Sequence, residues 1–277
     1  MILHNKSAEL YQPNPAPLSQ TTDLCIAAHH DDIEIMAYGP IAACFGSQTR
    51  HFTGVTVTDG AGSPRSGIYA DYADEGIKVI RAIEQKKAAS IGCYIAQFLL
   101  AYPSAAVKDA HNRTIVDELK AIITACKPEV LYTHNLADKH DTHVAVAMHV
   151  IRALRELSPE LRPKRVISME VWRGLDWLCD EDKFAADTSA HPNLAAALLG
   201  VYDSQITGGK RYDLAAISRR VANATFFASH DVDEMESVSF GMDITGLVNG
   251  NASPVEFIGV CIDNFREEVA ERVAKFT

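Results

Sequence analysis

The nine residues Leu24-Cys25-Ile26-Ala27-Ala28-His29-His30-Asp31-Asp32 decide the fold, because five apolar residues run directly into two histidines and two aspartates. A short apolar run bounded by polar residues is typical of a buried strand. In an open α/β sheet, ligands bind in the crevice beyond the carboxyl ends of the strands. Polar side chains at this position therefore indicate a functional site at the end of a parallel strand.

Apolar strands and amphipathic helices alternate on both sides of this stretch. Strands are predicted over 24–28, 50–58, 93–99, 130–133, 166–172 and 255–261, and helices over 33–45, 74–91, 112–126, 144–157, 193–202 and 214–228. Such alternation is typical of a mostly parallel sheet with helices on both faces. No repeat, low-complexity tract or linker interrupts it. We therefore expect a Rossmann-like α/β fold in a single domain over residues 1–277.

Composition limits the classes of protein to which the chain can belong. Its 277 residues are 47% hydrophobic, enough for a full core, and its net charge is −10. No cluster of lysine and arginine resembles a phosphate-tracking surface, so a nucleic-acid partner is not expected. The six cysteines are scattered without a Cys-x-x-Cys pair, which is typical of a reducing compartment. With no signal segment and no run near the ~20 apolar residues of a membrane span, a cytoplasmic protein is expected.

A second polar cluster, His134 to His143, follows the apolar run Val130 to Thr133. If the two strands are parallel neighbours, His29, Asp32 and His143 can converge from separate loops. Two histidines and a carboxylate leave an open coordination position on Zn²⁺, as a catalytic site requires. Zn²⁺ held in this way lowers the pKa of its water toward ~7 and polarises a substrate carbonyl. The pattern favours a metal-dependent hydrolase.

Such a hydrolase also needs a proton acceptor and a group that stabilises the oxyanion. Asp31 adjoins a predicted ligand while pointing elsewhere, which suits a general base. His140 lies three residues before His143 near a helix start, which suits stabilisation of the oxyanion and the leaving amine.

Asp59 ends a strand at the same sheet edge, where it either meets substrate hydroxyls or closes a turn. Residues 61–72, rich in Gly, Ser and Pro, are expected to form a lid or substrate loop.

The two polar clusters resemble the signatures of a known family. Ala28-His29-His30-Asp31-Asp32-Ile33-Glu34 resembles the Ala-His-Pro-Asp-Asp-x-Glu signature of the LmbE-like, or PIG-L, zinc-dependent N-acetyl-sugar deacetylases. His140-Asp141-Thr142-His143 resembles their His-Pro-Asp-His signature. The resemblance implies that His29, Asp32 and His143 bind the metal. It also implies that Asp31 is the base and that His140 stabilises the oxyanion.

Weaker similarities extend over more of the chain. Thr56-Val57-Thr58-Asp59-Gly60 looks like the family's strand ending in Thr-Asp-Gly, and Arg81-Ala82-Ile83-Glu84 looks like its Arg-x-x-Glu helix. Arg81 and Asp59 are therefore candidates for substrate binding. Arg81 and Glu84 equally have the spacing of a surface ion pair. His30 replaces the proline that follows the first ligand in the family, which suggests a rim residue or an extra acid/base group.

The resemblance implies an enzyme that removes the N-acetyl group from an N-acetylglucosamine-type sugar or conjugate and releases acetate. It implies Zn²⁺ as cofactor, or Fe²⁺ in the cell, a small amino sugar as the partner, and a homo-oligomer. Two alternatives stay open: an amidase acting on a larger thiol- or lipid-linked amino-sugar conjugate, and a metal- or carbohydrate-binding protein without catalysis. Asp31 argues against the second, because a pure binding site needs no spare base.

Structural explanations compete with these motifs. Asp31 and Asp32 before a helix could cap its free amide groups, and Asp141 could cap the helix that follows it. Trp172 could line a sugar pocket, but core packing is expected for it, and His134 is expected to be a loop, surface or core residue. A dinucleotide site is excluded because the first turn lacks the required glycines. A serine hydrolase is disfavoured because no Gly-x-Ser-x-Gly elbow occurs.

Overall fold

Five parallel strands form the centre of an eight-stranded sheet in the computed structural model, which describes residues 3–277. The strands are β1 (Glu9–Tyr11), β2 (Asp23–Ala27), β3 (Phe52–Thr58), β4 (Ala96–Tyr102), β5 (Val130–His134), β6 (Arg165–Met169), β7 (Lys183–Asp187) and β8 (Val238–Asp243). Their order across the sheet is β1-β4-β3-β2-β5-β6-β8-β7. Strands β2 to β6 are mutually parallel, β1 and β8 run antiparallel to them, and β7 runs antiparallel to β8. The expected single-domain, mostly parallel α/β fold is confirmed.

Helices cover both faces of this sheet. They are α1 (Asp32–Met36), α2 (Tyr38–Cys44), α3 (Asp74–Ile91), α4 (Ser104–Lys108), α5 (Arg113–Cys126), α6 (Asp141–Glu156), α7 (Pro192–Gly200), α8 (Asp203–Ile206), α9 (Tyr212–Phe226), α10 (Thr245–Asn249) and α11 (Pro254–Ala274). Successive side chains of a strand point to opposite faces. Leu24 and Ile26 of β2 accordingly pack in one apolar cluster with α5, α6 and α10, and Cys25 and Ala27 pack in another with α1, α2 and α7. Because β2 is buried on both faces, its apolar run is continuous rather than alternating.

The direction in which strands are added reverses at β2. The chain passes from β2 to β3 and β4 on one side, and then crosses to β5 and β6 on the other. At such a switch point the loops that follow two adjacent strands leave a crevice between them. Ile26 pairs with Thr133 in register. The polar clusters that follow β2 and β5 therefore reach the same edge of the sheet side by side.

Two predicted elements differ from the structure. Residues 255–261, predicted to be a strand, lie in the first half of α11. This prediction was wrong because a short apolar run carries no decisive periodicity, and Pro254 favours the first position of a helix. Residues 33–45, predicted to be one helix, form α1 and α2, which are separated at Ala37. Pro40 has no N–H to donate and fits only the first turn of a helix, so a new helix begins shortly before it.

The other predicted elements lie within a few residues of those observed, and the strand predicted over 93–99 runs from Ala96 to Tyr102. Strands β1, β7 and β8 were not predicted. All three pair antiparallel with a neighbour, and β1 and β7 form the sheet edges. Within residues 3–277, no helix has the length and apolar character that crossing a membrane requires.

Candidate active site

Two loops bring the three predicted metal ligands together. His29 follows β2, Asp32 begins α1, and His143 lies in the first turn of α6. The His29 Nδ1 atom is 3.0 Å from His143 Nε2 and 3.2 Å from Asp32 Oδ2, and the last two atoms are 3.3 Å apart. Two atoms that bind one tetrahedral Zn²⁺ at about 2.0–2.1 Å lie about 3.3 Å from each other. The three side chains therefore fit a zinc ion in both donor type and spacing.

His134 also lies at this centre, although the sequence suggested an ordinary loop, surface or core histidine. It ends β5, is fully buried, and places Nε2 3.4 Å from Asp32 Oδ2. The same Nε2 accepts a 2.8 Å hydrogen bond from the N–H of Ala28. Since an imidazole nitrogen that accepts a hydrogen bond has its one lone pair engaged, His134 is unsuited to be a fourth ligand. It ties the end of β5 to the end of β2.

Asp138 holds His143 in place from the side opposite the cluster. Its Oδ2 lies 3.1 Å from His143 Nδ1 and accepts a 3.1 Å hydrogen bond from the N–H of Val171. A carboxylate on one ring nitrogen directs the lone pair of the other nitrogen toward a metal and makes it more basic. No role for Asp138 was predicted from the sequence. The available signal was a lone aspartate between two histidines of one loop.

Charge and burial act against each other at Asp32 and His143. Burial tends to raise the pKa of Asp32, but His143 and the surrounding histidine hydrogen bonds outweigh it and hold that pKa well below its usual range. Burial tends to lower the pKa of His143, but Asp32 and Asp138 raise it to about 9. A proton and a metal ion therefore compete for the same ring nitrogen.

Asp31 occupies a backbone conformation that few residues adopt. Its φ is 85°, in the left-handed region, and its N–H donates a 3.3 Å hydrogen bond to Gln85 Oε1. Its side chain makes no capping hydrogen bond to α1 in the described chain, so a capping role does not account for it. The carboxylate instead lies 3.4 Å from Arg81 Nη2. Burial raises the pKa of Asp31 well above its usual range, while Arg81 acts in the opposite direction.

His140 immediately precedes α6. Its Nδ1 accepts a 3.3 Å hydrogen bond from the N–H of Thr142, which leaves Nε2 to carry the proton of the neutral ring. The ring stacks on His143 at a centroid distance of 4.7 Å and meets His29 edge-on at 4.9 Å. Burial, together with the charges of His143 and His29, lowers the pKa of His140. The ring is therefore a neutral donor at the edge of the cluster.

Arg81 is buried, which rules out the alternative of a surface ion pair with Glu84. The Arg81 guanidinium donates to Ser63 Oγ and to the carbonyl oxygen of His30. Glu84 instead accepts hydrogen bonds from the N–H and the hydroxyl of Ser204, at 2.7 and 2.6 Å. Arg81 thus fixes both Asp31 and the loop that follows β3.

Asp59 and His30 lie outside the cavity wall. The Asp59 carboxylate accepts a 3.2 Å hydrogen bond from the N–H of Ala61 and pairs with Lys78 at 3.2 Å, so it closes a turn. The expectation that Asp59 binds substrate is not supported by this placement. His30 is buried and its ring lies against the bend at Gly60, so it is not a rim residue.

A cavity of about 380 Å³ opens onto the cluster. Its walls are His29, Asp31, Asp32, Gly60, Gly62, Ser63, Pro64, Arg81, Ser104, Lys108, His140, Thr142, His143, Val171, Trp172, Gln205, Lys210 and Tyr212. Part of the predicted lid, residues 62–64, lines this cavity. Trp172 also lines it, where core packing had been expected. The Nε2 of buried Gln205 has no hydrogen-bond partner within residues 3–277.

The family model described as PIG-L, GlcNAc-PI de-N-acetylase, matches residues 24–154. No curated protein matches the chain.

Solved structures share the fold at low sequence identity. The conserved protein TT1542 from Thermus thermophilus is 17% identical with a TM-score of 0.63, over 80% of this chain and 94% of that one. The N,N'-diacetylchitobiose deacetylase from Pyrococcus horikoshii is 15% identical with a TM-score of 0.63, over 83% and 86%. The 4-carboxy-2-hydroxymuconate hydratase from Pseudomonas putida is 15% identical with a TM-score of 0.58, over 84% and 100%. Because a hydratase shares the fold, the fold alone does not select the reaction.

The family match extends from β2 to α6 and so contains both loops that meet at the switch point of the sheet. Residues 24–154 of this chain are therefore a domain of the PIG-L family.

Proposed function

We propose that this protein is a metal-dependent N-deacetylase that removes the acetyl group from an N-acetylglucosamine-type sugar or conjugate. The observation that carries the proposal is the triangle of donor atoms from His29, Asp32 and His143, with sides of 3.0 to 3.3 Å, at the floor of an open cavity. The PIG-L family match and the deacetylase of the same fold support this reaction class.

In this proposal His29 Nδ1, Asp32 Oδ2 and His143 Nε2 hold the metal. The metal supplies a Lewis acid that polarises the amide carbonyl and lowers the pKa of the attacking water. We propose Zn²⁺. The same set of two histidines and one carboxylate also suits Fe²⁺, which is the alternative in the cell.

Asp31 is the proposed general base. It lines the cavity, and contacts with Gln85 and Arg81 fix its backbone and its carboxylate. A carboxylate in this position can take a proton from the water as the water adds to the amide carbon. When the carbon–nitrogen bond then breaks, the same proton can pass to the leaving nitrogen. The products are acetate and a free amine.

His140 is the proposed donor to the oxygen that becomes negatively charged. Its Nδ1 is engaged by the helix, so its Nε2–H is the group left to donate. A donor that is already oriented needs no rearrangement when the charge develops, and such a group contributes about 10²- to 10³-fold to the rate.

The remaining walls fit a sugar. Cavities of roughly 300–1,000 Å³ are typical of small-molecule sites, and this one lies within that range. The Trp172 indole offers an apolar face, and Gln205 Nε2 offers a free donor for a sugar oxygen.

We further propose a cytoplasmic location, supported by the scattered cysteines, and self-association, which only the family resemblance supports.

Acetate release tests the proposal. Metal-loaded and chelator-treated protein are compared on a panel of N-acetylated amino sugars and their glycosides, with acetate measured by a coupled assay. We expect release only from the metal-loaded protein, restored when Zn²⁺ is added back. Release that is equal in both samples would contradict the metal requirement. A bound stoichiometric metal without acetate release from any compound would favour a larger conjugate or a non-catalytic binding protein.

A further inference from the structure

Asp31 and Asp32 are consecutive carboxylates with different proposed roles, and they differ in backbone conformation. Asp31 has a φ of 85°, in the left-handed region, whereas Asp32 is the first residue of α1. This region is uncommon for a residue with a side chain, and such a conformation persists only where surrounding contacts impose it. The contacts made by Asp31 therefore show what holds the proposed base in its position.

Gln85 of α3 holds the backbone of Asp31. Its fully buried side chain accepts, at Oε1, the 3.3 Å hydrogen bond from the Asp31 N–H. The first N–H groups of a helix have no partner within the helix, so this acceptor satisfies a donor that would otherwise be unpaired. Because a backbone N–H can only donate, the amide oxygen of Gln85 faces Asp31 and its NH2 group faces the other way.

Glu34 holds this NH2 group in turn. Gln85 Nε2 donates a 2.9 Å hydrogen bond to Oε1 of Glu34, a fully buried residue of α1. The hydroxyl groups of Tyr94 and Tyr202 also donate to the Glu34 carboxylate, at 2.9 and 2.6 Å. Both ends of the Gln85 amide are thus engaged. The side chain cannot rotate without leaving buried polar groups unpaired, which is costly to the folded protein.

The same face of α3 also holds the Asp31 carboxylate. Arg81 lies one turn before Gln85, at the four-residue spacing that puts two side chains on one face of a helix. Its Nη2 is 3.4 Å from Asp31 Oδ2. Gln85 adds a second connection, since it bridges Asp31 and Glu34 at the start of α1. One turn of α3 therefore fixes both the backbone and the carboxylate of Asp31.

We propose that Gln85 is a positioning residue: held by Glu34, it maintains the left-handed conformation of Asp31 and so keeps the base in the cavity wall, outside the triangle of proposed ligand atoms. This inference rests on the proposed deacetylase function, because it takes Asp31 to be the general base. Gln85 is not among the residues that line the cavity, so its effect on the reaction passes through Asp31. A shift of about 1 Å in a reacting group can slow a reaction about 100-fold.

Gln85→Met removes both hydrogen bonds, while a flexible side chain of similar length still fills the space. We expect kcat for an N-acetylated amino sugar to fall by about 10- to 100-fold and KM to change by about twofold or less, because Asp31 acts in the transition state and not in substrate binding. Zn²⁺ content and affinity, measured by competition with a chromophoric chelator, should equal those of the wild type. If the Met variant does not fold, Gln85→Asn should show the same fall in kcat, since it is one methylene shorter and cannot span both partners.

The Asp31→Asn background shows whether Gln85 acts through Asp31. In that background, adding Gln85→Met should lower the residual turnover by about twofold or less, since the base is already absent. A substrate with a labelled acetyl group detects this slow turnover. A merely destabilising effect of Gln85→Met would instead lower turnover by the same factor in both backgrounds.

Gln97→Met is the matched control. Gln97 is a fully buried amide in β4, donates through Nε2 to Thr56 Oγ1 and to the carbonyl oxygen of Phe98, and does not line the cavity. Its replacement should lower the free energy of unfolding but leave kcat within about twofold of the wild type. Wild-type kcat in Gln85→Met, loss of its metal, or an equal fall in kcat in the control or in both Asp31 backgrounds would overturn positioning by Gln85. Absent or metal-independent acetate release by the wild-type protein would instead contradict the proposed function.

Discussion

At the scale of single residues, the proposed metal site depends on side chains that are not themselves proposed ligands. Asp138 is the clearest case, because its carboxylate fixes the ring of His143 while it also accepts a backbone N–H from Val171. His134 acts in the same way from the other strand, through its hydrogen bond to Ala28. The motif residues supply the donor atoms, and these neighbours fix where the atoms point.

Replacing Asp138 with Asn should therefore weaken metal binding by about 10- to 100-fold, because the amide is a poorer partner for the His143 N–H. Competition with a chromophoric chelator measures the affinity. Asp141→Asn, three residues along and exposed at the start of α6, is the matched control. Equal affinity in the Asp138 variant and the control would contradict the positioning role.

Glu170 gives a pH prediction away from the metal cluster. Its carboxylate accepts hydrogen bonds from Leu175 N–H and Trp177 Nε1–H, and burial raises its pKa to about 7. That pKa of about 7 already includes a smaller increase from the charge of Asp138, and decreases from the two hydrogen bonds and from Arg173. Because the unfolded pKa is about 4.3, the unfolded chain loses its proton first as the pH rises.

The contribution of Glu170 to stability is therefore complete below about pH 4.3 and is lost as the pH rises to about 7. The loss amounts to about 4 kcal/mol. Urea unfolding from pH 4.5 to 8 should show wild-type protein losing stability relative to Glu170→Gln across this interval. If the free energies of unfolding of the two proteins changed in parallel with pH, the pKa of Glu170 would not be raised in the folded protein, and the prediction would be wrong.

At the scale of secondary-structure elements, the short helix α1 positions the cluster, since it begins at Asp32. Ile33 of α1 packs against β3 at Gly54. A Cβ added at Gly54 would clash with the side chain of Gln97 and lie 3.0 Å from Ile33 Cδ1. A glycine is needed here for space and not for an unusual backbone angle. The fit between α1 and the sheet thus sets the position of Asp31 and Asp32.

Gly54→Ala should destabilise the fold by about 1–3 kcal/mol through overpacking and should lower kcat by moving α1. Gly259→Ala is the control: Gly259 is in α11 with open space around its Cα, so alanine should stabilise that helix by up to about 1 kcal/mol. Urea unfolding and acetate release measure both effects. An unchanged kcat in a folded Gly54→Ala protein would show that the site tolerates a shift of α1.

The elements nearest the site were predictable because their sequence signals are local. The run from Leu24 to Asp32 contains both the strand and the polar residues at its end, and the run from Val130 to His143 does the same. The predicted strand at 255–261 failed because its apolar residues belong to the longer period of α11. In antiparallel β8, Gly241 lies so close to Ile167 of β6 that a side chain would not fit there. This requirement comes from tertiary packing, so no local sequence pattern predicts it.

At the scale of the whole molecule, the first half of the chain holds the proposed metal ligands and one part of the cavity wall, and the second half supplies the other part of the wall. Residues 24–154 contain all the proposed ligands, whereas Trp172, Gln205, Lys210 and Tyr212 of the cavity wall come later. These later residues meet the first half through long-range contacts, such as the 2.6 Å hydrogen bond from Tyr202 to Glu34. A contact between residues 168 positions apart produces no local sequence pattern, so this later part of the wall could not be predicted.

This division predicts a coupling between metal binding and global stability. A metal bound by the proposed ligands would join the loop after β2 to the start of α6, and a ligand that binds only the folded state stabilises it by about 4 kcal/mol at a free concentration 1,000 times Kd. The melting temperature should therefore rise with added Zn²⁺ and fall back with chelator. His143→Ala should abolish the shift. A metal-independent melting temperature would contradict a site assembled from both loops.

The most direct test of the account is acetate release by Asp31→Asn, with the bound metal measured on the same samples. The account predicts about one metal per chain in both wild type and variant, and turnover lower in the variant by about 10²- to 10⁴-fold, because the base is removed while the ligands remain. Near-normal turnover in the variant, or loss of its metal, would contradict the separation of base and ligands on which the proposed mechanism depends.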